Sequence, residues 1–101
     1  MTKAKNFTFN FTEDNENFRE VPEYNHLFIK NTLNYYRDLL SARGHVFLNE
    51  VLDGFGIPRI PDGQLMGWII PKSENIHHMV TILDGVISIK LMTDGRIDRN
   101  I

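Results

Sequence analysis

The chain has 101 residues, of which 42% are hydrophobic and 24% charged, with a formal net charge of −2 and no cysteine. This composition suits one globular domain and excludes a disordered or collagen-like chain, disulfide scaffolds and cysteine-ligated metal centres. The charge gives no basic field that would attract a nucleic acid. No stretch reaches the roughly 18 apolar residues of a membrane span, and no export signal opens the sequence, so we expect a cytoplasmic protein without membrane contact.

The first 21 residues are polar and acidic and contain a phenylalanine at every second position, Phe7, Phe9 and Phe11. A period of two places these rings on one face of a β-strand. Because three exposed phenylalanines would be a liability, we expect the strand to dock on its own sheet or on another chain. A flexible arm with chance alternation is the alternative. The predicted organisation is thus an N-terminal arm over residues 1–21 and a single α+β domain over residues 22–101.

Two helices are predicted next along the chain. Apolar residues recur at helical spacing from Pro22 to Arg43, and Gly44 suits the left-handed position that ends a helix. A short second helix is predicted over His45–Leu52, and a tight turn follows at Pro61-Asp62-Gly63.

From residue 65 onward the apolar period changes to two, which predicts strands. Trp68 is expected to be buried, and Asp84-Gly85 and Asp94-Gly95 are hairpin signals because both residues accept positive φ. We predict an α+β fold in which one long and one short helix pack on a three- to four-stranded antiparallel meander, with the N-terminal phenylalanine-rich strand or arm. The predicted strands cover residues 65–70, 78–83, 86–92 and 96–98.

The sequence carries no motif for catalysis or cofactor binding. Ser41 and Ser88 lack the glycine-framed turn of a nucleophile, and no glycine-rich phosphate loop is present. The adjacent His77 and His78 would point to opposite faces of a strand, so they do not suit one metal ion. We therefore predict no catalytic residue, no metal and no cofactor. The second predicted helix lacks the exposed Arg, Lys, Asn or Gln side chains that read DNA, which leaves nucleic-acid binding a disfavoured third hypothesis.

The aromatic residues exceed what so small a core can enclose. Exposed Phe, Tyr and Trp are typical of protein interfaces, and an aromatic-rich core is the competing interpretation. The first hypothesis is a non-enzymatic module that binds another protein or its own second copy as a homo-oligomer. The predicted contact residues are Phe7, Phe9, Phe11, Phe18 and Trp68.

The second hypothesis is a protein that binds a nucleotide or another small ligand in a polar pocket. Alternatively, Arg43 or Arg59 pairs with Glu50 across the helix junction as a structural device. The predicted ligand-binding residues are Arg43, His45, Glu50, Arg59 and Gln64.

The chain contains four distinctive runs, which are Asn34–Val51, Gly56–Arg59, Gly63-Gln64 and Gly67–Ile69, and it ends with Asp94-Gly95 followed by the spaced isoleucines Ile97 and Ile101. Together these residues resemble an uncharacterised family of small proteins from bacteriophages, prophages and Gram-positive bacteria. The resemblance spans residues 26–101 and implies no activity, cofactor or catalytic residue. It implies a phage-related accessory protein, with counter-defence as one role and a host or phage protein as partner.

Overall fold

The computed structural model describes residues 5–101. It is an α+β fold with a long and a short helix and antiparallel sheets, as predicted. Short 3₁₀ turns occur at Pro61–Gln64 and Asp98–Asn100. The helices and strands are β1 (Asn6–Phe11), α1 (Pro22–Arg43), β2 (His45–Phe47), α2 (Leu48–Phe55), β3 (Gly67–Ile69), β4 (His78–Leu83) and β5 (Val86–Met92).

Helix α1 has the predicted bounds for the predicted reasons. It begins at Pro22, whose missing N–H has no helical partner to lose. It ends at Gly44, which adopts a φ of 91° and donates its N–H to the carbonyl oxygen of Leu40 at 2.8 Å. The buried stripe of α1 includes Ile29, Leu33 and Leu40, which pack into the core.

The predicted phenylalanine strand is β1, and it docks on the protein's own sheet. The strand order is β1-β5-β4, so the N-terminal strand joins the last strand of the hairpin and the sheet is not a sequential meander. Phe7 lies opposite Leu91, and Phe11 lies opposite Ile87. Opposed residues share a face, so the phenylalanines lie on the apolar face of the sheet.

The second helix begins later than predicted. His45–Phe47 forms β2, an antiparallel partner of β3, and the helix runs over Leu48–Phe55. The prediction of a helix from His45 was wrong because a continuous apolar run fits a buried strand as well as a buried helix. The pairing of Val46 with Trp68 stabilises His45–Phe47 as a strand.

Two other strands are shorter than predicted. The segment predicted over residues 65–70 forms only Gly67–Ile69, and the segment predicted over 96–98 forms an isolated bridge between Arg96 and Met66 before the final 3₁₀ turn. The β4–β5 hairpin has the predicted bounds. Its Asp84-Gly85 turn has φ angles of 52° and 78°, as a two-residue hairpin turn requires.

Candidate functional site

Two of the five predicted interface residues have no surface left for a partner. Phe11 and Trp68 are both 0% exposed. The ring of Phe11 stacks on Phe28 with centroids 5.5 Å apart, and the indole Nε1 of Trp68 donates to the carbonyl oxygen of Met92 at 2.9 Å. These contacts assign both residues to the interior and correct their place in the predicted interface.

The other three predicted interface residues are half-buried and pack on the same core. Phe7 stacks on Phe9 with centroids 6.4 Å apart, and Phe18 lies 5.7 Å from Phe11. The core thus encloses most of the ring surface of this segment, as the competing interpretation had it. Only the outer edges of Phe7, Phe9 and Phe18 are available to a partner.

The predicted ligand-binding residues pair internally instead of forming one pocket. Arg43 Nη2 lies 2.7 Å from both Oε1 and Oε2 of Glu50, and Arg43 Nε donates to the carbonyl oxygen of His45 at 3.0 Å. Glu50 also accepts from the backbone N–H of Phe47 at 3.4 Å. This pair joins the end of α1 to the start of α2, as the structural alternative for Arg43 required.

Arg59 pairs with Asp53 rather than with Glu50. Arg59 Nε donates to Asp53 Oδ1 at 3.0 Å, and its Nη2 bonds the other carboxylate oxygen. The side-chain hydrogen bond from Arg59 lowers the pKa of Asp53 below its usual value of 3.8. Gln64 is exposed on the turn of Pro61–Gln64, so the five residues are not brought to one cavity.

Asn49, which lies within the run Asn34–Val51, has a structural role. The buried Asn49 amide accepts from the N–H of Ile60 and donates to its carbonyl oxygen, both at 3.0 Å. A Cβ atom at Gly63 would lie 2.0 Å from the Asn49 Oδ1, and one at Gly67 would lie 2.0 Å from the Val46 carbonyl oxygen. These three residues of the runs that carry the resemblance therefore serve the packing of the fold.

The surface that sequence reasoning missed is β4. All six of its residues are exposed, and it lies at one edge of the sheet. Ile82 is 67% exposed and Leu83 is 71% exposed, values unusual for large apolar side chains in a strand. The available signal was the composition of His78–Leu83, which contains four apolar residues and no lysine, arginine, carboxylate or proline to protect an edge.

Both faces of β4 carry apolar side chains. Val80 and Ile82 lie opposite Ile89 and Ile87, so they share the face that elsewhere forms the core. Met79 and Leu83 lie on the opposite face of the sheet, together with Val86. The apolar surface therefore continues around the edge of the sheet.

A groove of about 410 Å³ separates α1 from β4. Ile29 and Leu33 of α1 line one wall, and Val80, Ile82 and Ile87 line the other. Helix α1 thus covers the β1 side of the sheet, where Phe28 stacks on Phe11, and leaves the β4 side open. The polar lining residues of the groove are Arg19, Glu20, Asn25, His26, Lys30, Asn34 and His78.

A second cavity of about 490 Å³ lies where α1 meets α2. Its lining includes Tyr24, Leu27 and Tyr35, which are exposed on α1, together with Tyr36 and Gly54. Burial raises the pKa of the Tyr36 hydroxyl. No carboxylate, histidine or cationic side chain lines this cavity, and its titratable groups are the hydroxyls of the three tyrosines.

Within residues 5–101, no three His, Asp or Glu side chains are grouped closely enough to hold a metal ion. Over the same residues, no helix combines the length and the apolar character needed to cross a membrane.

A family model described as a family of unknown function (DUF6353) matches residues 1–98. The match includes the N-terminal segment that the phage resemblance leaves out. No curated protein and no solved structure matches the chain.

Proposed function

We propose that this chain, which belongs to the DUF6353 family, is a non-enzymatic accessory protein that binds another protein along the free edge of β4. The observation that carries the proposal is an edge strand whose six residues are all exposed. An extended segment of a partner adds to such an edge through backbone hydrogen bonds, and side chains on alternate positions give specificity.

The backbone of β4 offers the groups that strand addition needs. Across a two-residue turn the flanking residues form a hydrogen-bonded pair, so Leu83, Thr81 and Met79 direct their N–H and C=O groups to β5. The bond from the N–H of Met92 to the carbonyl oxygen of His77, 2.9 Å long, continues this alternation. By the same alternation, His78, Val80 and Ile82 direct their backbone groups away from the sheet, toward a partner.

The side chains of β4 favour association of this edge with a partner strand. Natural edge strands are protected by charged residues, prolines or bulges, and β4 has neither a formally charged residue nor a proline. Met79 and Leu83 project from one face, and Val80 and Ile82 project from the other beside the groove. Burial of this surface would supply about 25 cal/mol for each Å² of apolar area removed from water.

The phage-related context rests on the resemblance of residues 34–51 and the glycine-containing runs after them. A phage accessory protein that opposes a host defence acts where its host target is, in the host cytoplasm. Blocking a target requires only a complementary surface and no reacting group. The internal pairing of Arg43 with Glu50 and of Arg59 with Asp53 leaves β4 as the surface best suited to that task.

Exchange of a single edge residue tests the proposal. The tagged full chain, Ile82→Lys and the control Asn6→Lys are incubated with extract of a bacterial host, and captured proteins are quantified by mass spectrometry. Asn6 is exposed on β1, the other edge strand, so the two variants place the same charge on opposite edges.

We expect the wild type and Asn6→Lys to enrich a common protein and Ile82→Lys to lose it. Titration with that purified protein should then show an affinity at least about tenfold weaker for Ile82→Lys, because a lysine must leave water to enter the interface. Equal capture by all three proteins would contradict the proposal.

A further inference from the structure

We infer that the β4 edge binds a second copy of this chain, so that two three-stranded sheets join into one six-stranded sheet about a two-fold axis. The inference rests on the proposed function and names one partner for the same edge. It follows from the self-complementarity of the sequence His78–Leu83. The two β4 strands would run antiparallel, because a two-fold axis perpendicular to the sheet reverses the strand direction.

The pleat of the strands restricts where the two-fold axis can lie. In an antiparallel pair, directly opposed residues lie on the same face of the sheet, so the axis must pass between two identical residues. With the axis at Thr81, Val80 lies opposite Ile82 of the second copy, and Met79 lies opposite its Leu83. Val80 and Ile82 are the residues whose backbone groups point outward, so each Val80–Ile82 pair can exchange two hydrogen bonds.

This register matches apolar with apolar on both faces of the sheet. Val80 and Ile82 meet on the groove face, and Met79 and Leu83 meet on the outer face, with only Thr81 opposite its own copy. An axis at Val80 would instead place Ile82 opposite His78 and Met79 opposite Thr81. The hydrophobic pattern therefore selects the axis at Thr81 over this neighbour.

The polar groups at the strand ends suit the same register. It brings the His78 end of each β4 beside the Asp84 turn of the other copy, so an imidazole meets a carboxylate. Between these ends the strand carries no formal charge that would oppose its own copy. Ile82 of the second copy would also cover the open side of the groove between α1 and β4.

Two proline variants test this pairing through the backbone. Ile82→Pro removes an outward N–H from β4, a change that edge strands tolerate. Thr8→Pro is the matched control on β1. The odd-numbered residues of this segment direct their backbone N–H and C=O groups toward β5, as the 3.0 Å bond from the Thr93 N–H to the Lys5 carbonyl oxygen shows. Thr8 therefore directs its N–H away from the sheet, just as Ile82 does.

Sedimentation velocity over a range of concentrations gives the mass of each protein. We expect the wild type and Thr8→Pro to shift with concentration from 11.8 kDa toward twice that mass, and Ile82→Pro to remain a monomer. Circular dichroism checks that each variant is folded, and Ile82→Lys replaces Ile82→Pro if the proline prevents folding. A wild-type chain that stays monomeric, or a dimer that both Ile82 variants retain, would overturn the inference.

Amide hydrogen exchange locates the contact. The amides of Val80 and Ile82 should gain protection as concentration rises, whereas the amide of Thr81, bonded to β5, should be protected throughout. Gains elsewhere and none in β4 would overturn the inference. If the chain is monomeric but Ile82→Lys still loses a captured host protein, the second-copy inference fails and the proposed function stands. If native mass spectrometry shows a small molecule bound to a monomer in place of a dimer, the second-copy inference fails.

Discussion

The two outer strands of the main sheet, β1 and β4, both flank β5, and they present opposite surfaces. In β1 the apolar residues lie on one face only and pack against the core. In β4 the apolar residues lie on both faces and all are exposed. The polar residues of β1, on the face away from the core, are Asn6, Thr8 and Asn10.

The difference lies in what covers each strand. Helix α1 reaches the β1 side of the sheet, where Phe28 contacts both Phe11 and Phe55. On the β4 side, α1 is separated from the sheet by the groove. A high aromatic content therefore does not by itself indicate an interface, because a small core can enclose rings if one helix is placed over them. An aliphatic strand beyond the reach of that helix is the stronger candidate.

The largest expected effect comes from truncating one apolar residue in each of the strands β1 and β4. Phe11→Ala should lower the free energy of unfolding by about 3–5 kcal/mol, because it opens a cavity in the core. Ile82→Ala should change that free energy by no more than about 0.5 kcal/mol, because Ile82 is largely exposed. Urea unfolding followed by circular dichroism, at a concentration where the chain is monomeric, measures both.

Similar losses in the two variants would mean that β4 is covered within the monomer. A small loss in Phe11→Ala would mean that β1 is not anchored in the core. Either result would remove the contrast between the two strands and, with it, the reason for placing the interface on β4.

A smaller effect is expected from the region that carries the family resemblance. Asn49→Ala should lower the free energy of unfolding by about 1–3 kcal/mol, because it leaves the backbone N–H and C=O of Ile60 without their partner. It should not change self-association, since the Asn49 side chain bonds the backbone of Ile60 and belongs to α2 rather than to β4. Urea unfolding and sedimentation velocity measure the two effects separately.

Gln64→Ala is the control for Asn49→Ala. Gln64 belongs to the same set of runs that carries the resemblance, but it is exposed, so its truncation should alter the free energy of unfolding by less than about 0.5 kcal/mol. If Gln64→Ala lost the binding of a nucleotide or another small ligand while its free energy of unfolding stayed unchanged, the ligand-binding hypothesis would instead be supported.

Local sequence signals predicted the elements whose determinants are local. Pro22 and Gly44 delimit α1, and the Asp84-Gly85 turn delimits the β4–β5 hairpin. The extent of β2 could not be predicted, because the run from Val46 suits a strand or a helix until its pairing with β3 is known.

The candidate site depended on tertiary placement. The alternation of Phe7, Phe9 and Phe11 predicted a strand and its apolar face, but it could not show that α1 would cover that face. In His78–Leu83 the apolar residues fall on both faces of the strand, so the sequence does not indicate which face is buried. The same two-sided apolar character distinguishes β4 once its exposure is known. Likewise, the spacing of Arg43 and Glu50 allowed their pairing, whereas the choice of Asp53 as partner of Arg59 depended on the loop after α2.

The smallest expected effect is a dependence of stability on acidic pH, and it separates the pair between α2 and the loop after it from the β4 edge. The hydrogen bond from Arg59 lowers the pKa of Asp53 in the folded protein below its unfolded value of 3.8. This pair therefore adds stability above that pH, and the contribution disappears as the pH falls through the lowered pKa. Asp53→Asn should be less stable than the wild type at pH 7, and the difference should shrink toward zero as the pH falls below 3.8 and through the lowered pKa of Asp53. Ile82→Ala should keep the pH dependence of the wild type in the same urea titrations; a difference for Asp53→Asn that stays constant with pH would show that Arg59 does not stabilise the ionised carboxylate.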